Sequence, residues 1–342
     1  MEILTHALLA LTLVRAGQKL LPRYGAAMLV VSGVAADLDF LSYFGGPSAY
    51  LRFHRGVLHS VLGSVVLVCV LALVFWAMAR RAAAKHSASS SPRLSFVAAV
   101  AVCGVGVLVH VLFDLASGIG VRLLWPFREK WTGWDLVSAL DPWILVVLVL
   151  GLALPEVLRL VSEEIGERNR GPRGHVAAIV TLWLLLLYFG ARAGLHRRVV
   201  GELNAREYHG APALSAGAFP SSISPLAWRG VVSTDNDIEV IEVLLAPGAG
   251  FDPERALRHF KPEDSAALIA AENTAAAKTF LGYARFPLAS LERGDLGYRF
   301  TLRDLRFADG DGAKDNIIVH VELGADLRVM REEFRHAYSA ER

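Results

Sequence analysis

Only two cysteines occur in the 342 residues, Cys69 and Cys103. Both lie inside long apolar runs at no metal-ligand spacing, so a cysteine-based metal site is excluded and both thiols are expected to pack as small apolar side chains. Excess charge is also lacking. The formal net charge is +2, and the basic residues sit in short loops rather than on one soluble face, which argues against a nucleic-acid partner. The first apolar run has no basic stretch ahead of it and no small-residue cleavage site behind it, so it reads as a retained segment rather than a secretory signal. There is no His-Glu-x-x-His motif, which removes the basis for an intramembrane metalloprotease, and no internal repeat.

Apolar residues are abundant instead, at 54% of the chain, and they concentrate before about residue 198. Runs at 57–78, 96–115, 143–160 and 176–195 are each long enough to cross a hydrocarbon core, which takes about 20 helical residues. Two shorter runs, 3–14 and 25–36, are expected to form a helical hairpin that crosses incompletely. The fold class is therefore mainly α: a polytopic helical membrane domain of about six helices over 1–198, followed by a small α+β soluble domain over 199–342.

Lys and Arg favour alternate loops: Arg15, Lys19 and Arg23; Arg80, Arg81, Lys85 and Arg93; Arg159, Arg168, Arg170 and Arg173. The positive-inside rule places these loops in the cytoplasm and the tail outside. Arg192, Arg197 and Arg198 dissent. The Ser-rich stretch 86–92 reads as a flexible loop. In the tail, alternating runs at 238–245, 298–307 and 317–323 read as strands, and 262–281 has helical spacing. Asp309-Gly310-Asp311-Gly312 reads as a hairpin turn rather than a calcium loop.

Polar residues in the apolar half carry the chemistry, because ionisable groups at membrane depth are costly. His110 and Asp114 are four apart in a helical run, which puts both on one face, one turn apart. Asp37 and Asp39 are two apart and would diverge on an α-helix, so the chain should leave that geometry there. His54 belongs in a loop and His59 in the first turn of the next helix. The topology brings His6, the Asp37 and Asp39 pair, His59, and His110 with Asp114 to one membrane face. The candidate metal ligands are His6, Asp39, His59, His110 and Asp114, with one of Asp37 and Asp39 as a direct ligand. Mixed imidazole and carboxylate donors suit zinc best, with manganese or iron also suitable. Structural alternatives stand beside this: a helix-end histidine at His6, a hydrogen-bonded pair at His110 and Asp114, a cap at Asp37 or Asp39.

The order Thr5-His6, Asp37-Leu38-Asp39, His54-Arg55-Gly56 with His59-Ser60, His110 to Asp114, Leu124-Trp125-Pro126-Phe127 and Asp141-Pro142 resembles the bacterial membrane-bound metal-dependent hydrolases, also called LexA-binding, inner membrane-associated hydrolases. The resemblance covers roughly residues 1–200, and His-Arg-Gly-x-x-His-Ser is its most specific element. It implies a location in the bacterial inner membrane and a distant similarity to zinc-dependent phospholipase C and P1-type nucleases, whose His-x-x-x-Asp metal pair His110 and Asp114 match. The second pair of those enzymes, His-x-x-x-Glu, is absent from the membrane-embedded half, so the resemblance does not extend to a three-metal cluster.

The function expected from these residues is metal-dependent hydrolysis of a phosphoester in a membrane lipid or envelope compound, at the outer membrane face. A metal-activated water would attack, Asp37 or Asp39 would accept a proton, and Arg55 or Arg128 would stabilise phosphoryl charge. His54, next to Arg55, completes the catalytic candidates. The alternative is a non-enzymatic membrane protein with a structural metal or polar site and a partner-binding outer domain. The expected sidedness can be measured. Cysteine placed at Ser89 should resist an impermeant thiol reagent applied to intact cells while cysteine at Ser233 reacts, and the opposite labelling would put the tail in the cytoplasm.

Overall fold

The computed structural model describes residues 1–85, 94–164, 174–246, 251–307 and 317–336. The Ser-rich stretch and the Asp309 to Gly312 cluster lie outside the described residues. The chain divides into two compact units, one of Met1–Asp39, Arg55–Arg128 and Thr132–Arg192, the other of Phe40–His54, Glu129–Trp131 and Ala193–Arg342.

The helices run in the order α1 (Ile3–Gly17), α2 (Gly25–Ala35), α3 (Pro47–Phe53), α4 (Val61–Lys85), α5 (Phe96–Ala116), α6 (Pro142–Glu164) and α7 (His175–Asn204). Among the described residues, five segments are long and apolar enough to cross a membrane: Gly25–Gly45, Val61–Ala84, Phe96–Ala116, Pro142–Leu160 and His175–Asn204. α1 is apolar but shorter. The second run is thus longer than its hydropathy suggests. After Ala35 the chain tightens into a 3-10 helix, Ala36–Gly45, in which Asp37 and Asp39 are buried while Leu38 stays exposed. The two carboxylates interrupt the apolar sequence but turn inward, so the helical path continues past them.

The outer faces of these helices are apolar. α4 exposes Val61, Val65, Val66, Val70, Leu73 and Met78, a surface suited to acyl chains, while its backbone bonds are closed within the helix as a hydrocarbon solvent requires. Inside, Met28, Ala72, Ala99 and Cys103 pack together, so Cys103 is a packing residue, whereas Cys69 lies on the exposed side. Small residues set how closely the helices approach. A Cβ at Gly33 would come 2.8 Å from Ala10 Cβ, which fixes α1 against α2. A Cβ at Gly106 would collide with Ser32 Oγ, which fixes α5 against α2. Arg15 on α1 pairs with Glu156 on α6 at 3.1 Å.

α6 and α7 meet through a polar knot. Asp141 Oδ1 accepts from the backbone N–H groups of Trp143 and Ile144, capping α6, while its Oδ2 accepts from Tyr188 on α7 at 3.0 Å. Arg192 donates to the Leu136 carbonyl at 2.7 Å.

After α7 come β1 (Glu207–Tyr208), β2 (Ala211–Pro212), β3 (Ser215–Pro220), β4 (Ala227–Ser233), β5 (Asp237–Leu244), β6 (Leu257–Phe260), α8 (Ala266–Glu272), α9 (Ala275–Leu281), β7 (Pro287–Gly294), β8 (Gly297–Asp304), β9 (Ile317–Gly324) and β10 (Val329–His336). Among the described residues these form a two-stranded antiparallel sheet, β1-β2, and two four-stranded antiparallel sheets, in the orders β3-β4-β5-β6 and β10-β9-β8-β7. The three strands expected from alternation are β5, β8 and β9, and the expected helix at 262–281 is two helices, α8 and α9. Ser265 and Thr274 cap them, each accepting from a backbone N–H three residues on; the second cap starts a new helix where one was expected to continue. Trp228, Tyr208, Ile241 and Val243 share one core.

The helix contact at Gly106 is testable. Gly106→Val should lower the thermal midpoint in detergent, since overpacking of this kind costs about 1–3 kcal/mol. Gly104→Val, where nothing lies within 4 Å, should stay near the parent protein. Equal midpoints for the two variants would show that α2 and α5 do not meet at Gly106.

Candidate metal centre

Four pieces of chain bring imidazole and carboxylate groups together in the first unit. α1 supplies His6 from its first turns. The turn from α2 into the 3-10 helix supplies Asp37 and Asp39, the segment Arg55 to Ser60 before α4 supplies His59, and the last two turns of α5 supply His110 and Asp114. All of these side chains are buried. One ligand atom from each of His6, Asp37, His110 and Asp114 can be chosen so that the four lie within 4.8 Å of one another.

The hydrogen bonds determine which nitrogens face the group. His110 Nδ1 is 2.8 Å from the Gly33 carbonyl, which lies in the last turn of α2, where carbonyls lose their helical partners. An oxygen acceptor there makes Nδ1 the protonated nitrogen and leaves Nε2 with a lone pair. His59 Nδ1 lies 2.9 Å from Asp39 Oδ2 and its Nε2 lies 2.9 Å from Asp114 Oδ2, so a carboxylate flanks each ring nitrogen. These two Nε2 atoms are 3.1 Å apart. Nitrogens at that separation need a proton or a cation between them. Nitrogens sharing one tetrahedral zinc, each bound at about 2.0–2.1 Å, lie about 3.3 Å apart. An imidazole whose outer N–H is held by a carboxylate or carbonyl is the usual arrangement around a bound metal.

Asp114 is the shared carboxylate. His59 Nε2 is 2.9 Å from its Oδ2, and His110 Nε2 is 3.5 Å from that oxygen. His6 Nε2 lies 3.4 Å from Oδ1, and the Met1 α-amino group bonds to Oδ1 as well. The His6 ring stacks on His110 with centroids 3.7 Å apart. Neither ring nitrogen of His6, nor Asp37 Oδ2, makes a hydrogen bond among the described residues. Buried polar atoms without partners are costly, and imidazole and carboxylate donors together suit zinc or manganese. The residues therefore fit a divalent ion, and the buried His and Asp group could hold one.

Asp37 and Asp39 divide the work differently from the sequence reading. Asp37, expected as the proton acceptor, belongs to the group of four, with Oδ1 3.7 Å from His110 Nε2. Asp39, expected as a ligand, spends Oδ2 on His59 and on the Arg55 backbone N–H at 2.8 Å. Arg55 takes a left-handed backbone with φ 53°, a costly conformation for a side chain of this size, and Asp39 helps hold it. Its guanidinium reaches Ser117 Oγ at 3.0 Å and Asp114 Oδ1 at 3.3 Å. Arg55 thus positions a carboxylate of the group.

The other candidates fall elsewhere. Arg128 is exposed and makes its backbone bond to the Leu124 carbonyl. His54 belongs to the second unit, where it stacks on Tyr50 with centroids 4.4 Å apart. His59, expected as a ligand in the first turn of a helix, sits in a turn before α4 and stands beside the group of four rather than in it. Arg122 was missed by the sequence reading. It is buried at 4% exposure, its backbone N–H donates to the Arg55 carbonyl at 2.9 Å, and its guanidinium packs where a Cβ on Gly56 would stand. The glycine within His54-Arg55-Gly56 was the available signal, since only a residue without a side chain leaves room for that guanidinium.

A model of the YdjM inner membrane protein family matches residues 1–196. The chain belongs to that family. The matched range contains the whole buried group, and membership together with the apolar helices places this YdjM-family protein in a membrane. The Bacillus subtilis (strain 168) protein described as "Uncharacterized protein YfhP" is 24% identical over 124 residues, 35% of this chain and 33% of that relative. The chain thus matches about a third of that curated relative's length. No solved structure matches.

Metal content tests the arrangement. Protein purified in detergent without chelator should contain zinc or manganese, and His59→Ala and His110→Ala should lose it. Asp39→Asn should keep the fold but bind metal about 10-fold to 100-fold more weakly, the usual effect of removing a partner that orients a ligating imidazole. Metal-free wild type, or unchanged affinity in Asp39→Asn, would contradict it.

Proposed function

We propose that this YdjM-family protein is a membrane-bound, metal-dependent hydrolase that cleaves a phosphoester of a lipid or other envelope compound. The observation that carries this reading is the buried group of His6, Asp37, His110 and Asp114, whose ligand atoms lie within 4.8 Å of one another. His6, Asp37, His110 and Asp114 would hold the ion, with His59 turned toward them by Asp39. A divalent ion held there, best zinc, supplies Lewis acidity and lowers the pKa of water.

The chain's own residues supply the rest. Asp37 Oδ2, which has no hydrogen-bond partner among the described residues, is the oxygen placed to take a proton. Arg55 keeps Asp114 aligned. The second buried arginine, Arg122, adds positive charge that favours an anionic substrate, since guanidinium groups suit phosphate oxygens. The resemblance of His110 and Asp114 to the metal pair of zinc-dependent phospholipase C supports the same chemistry. The asymmetric Lys and Arg loops support an extracytoplasmic site and tail in the inner membrane.

One observation favours a second reading, in which the group is structural. Asp114 already meets Met1, Arg55, His6, His59 and His110, and a centre closed by protein groups ties helices together without turnover.

A panel of phospholipids and artificial phosphodiesters separates the two. Asp37→Asn should retain its fold while turnover, measured with the metal restored to full occupancy, falls about 100-fold or more, as loss of a proton-transfer group does. Arg55→Ala should lose metal affinity and thermal stability along with activity, because it leaves Asp114 without its guanidinium partner. If wild-type protein with full metal occupancy hydrolyses no member of the panel, the structural reading stands and the hydrolase reading falls.

A further inference from the structure

Between Asp39 and Arg55 the chain makes an excursion whose base is pinched by the bond from the Arg55 N–H to Asp39 Oδ2. The excursion, residues 40–54, carries no acidic residue, and Arg52 is its one Lys or Arg. Its first limb finishes the 3-10 helix at Gly45. Gly46 turns the chain with φ 87°, and Pro47 starts α3, which returns it. The limbs are held together by rings. Phe40 stacks on Tyr43 at 5.5 Å and meets Tyr50 edge-on at 6.2 Å, and Tyr50 stacks on His54 at 4.4 Å.

One side of this hairpin is covered, since Leu51 is buried and α3 packs against α9. The other side is open: Phe44 is 82% exposed, Leu41 60%, Tyr43 49% and Phe40 44%. Large apolar side chains grouped in this way are costly to hydrate. The first limb is also the end of the segment Gly25–Gly45, which is long and apolar enough to cross a membrane. The apolar sequence of that segment thus runs on into the first limb of the hairpin. Tyrosine and phenylalanine with a neighbouring arginine match the headgroup level of a bilayer, where rings contact acyl chains and polar tips meet water and phosphate.

We propose that residues 40–54 form an interfacial hairpin seated in the headgroup layer of the bilayer, and that the ligand of the His and Asp centre is the polar head of a membrane lipid entering from that layer. The second half rests on the hydrolase reading; the first does not.

The seat is measured without any activity. Phe44→Cys, in a background carrying Cys69→Ala and Cys103→Ala, is spin-labelled and reconstituted in phosphatidylcholine and phosphatidylglycerol vesicles. A label at position 44 should collide with oxygen and be shielded from a water-soluble nickel chelate, whereas a label at Leu296→Cys in the same background, on an exposed turn of the soluble sheet, should show the reverse. Equal chelate access at the two positions would overturn the proposed seat. Delivery is measured by hydrolysis: the double variant Leu41→Ser, Phe44→Ser should lose about tenfold in rate on vesicle phospholipid, the scale expected when apolar contact of this size is removed. Its rate on a short soluble phosphodiester should stay near that of wild type. Equal losses on both substrates, or none on vesicles, would overturn delivery from the bilayer. Wild-type inactivity on both would remove the hydrolase reading and with it delivery, leaving the label depths to decide the hairpin's seat alone.

Discussion

Asp114 is a carboxylate buried at the end of a helix that is apolar along most of its length, and the surrounding structure is arranged to make that burial tolerable. A charge removed from water is costly, and the cost is offset only when opposite charge and hydrogen bonds converge on it. Here the converging groups come from the Met1 amine, from His6, from Arg55 and His59, and from His110 one turn earlier on the same helix. Each neighbour is itself anchored. Asp39 holds His59, the Gly33 carbonyl holds His110, and Ser117 holds Arg55. Moving any one of these elements would leave a buried polar group exposed to an apolar environment without a partner.

Close helix contact is the condition for that convergence. The bond from His110 to the Gly33 carbonyl exists because Gly106 lets α5 lie directly on α2, one turn before His110. Gly33 does the same for α1, which carries His6. Gly56 plays a comparable part among the loops, leaving room for Arg122. Small residues in the helices thus set the positions of polar residues whose own side chains would not have drawn the helices together.

Much of this was legible along the chain. The apolar runs marked the crossing helices because a bilayer demands a fixed length of apolar helix, and alternation marked β5, β8 and β9 because one face of each sheet is buried. The His110 and Asp114 pair was readable from helical spacing, and the convergence of four helix ends from their order along the chain. The length of the second segment was not readable, because Asp37 and Asp39 look like an interruption until their inward direction is known. Arg128 looked suitable by position and Arg122 did not stand out, because a loop's path through space is not periodic and leaves no pattern in sequence.

What the sequence by itself determined is therefore what local geometry dictates: which segments are helix or strand, which faces are apolar, and which residue types reach the same end of the helices. Only the tertiary structure decided which carboxylate joins the group and which orients a histidine, that Arg55 turns to Asp114, and which imidazole nitrogen faces inward. Those outcomes depend on distances of about 3 Å between residues far apart in the chain, the range over which a hydrogen bond forms or fails. Spacing along a helix does not encode distances of that kind; the packing of one helix on another does.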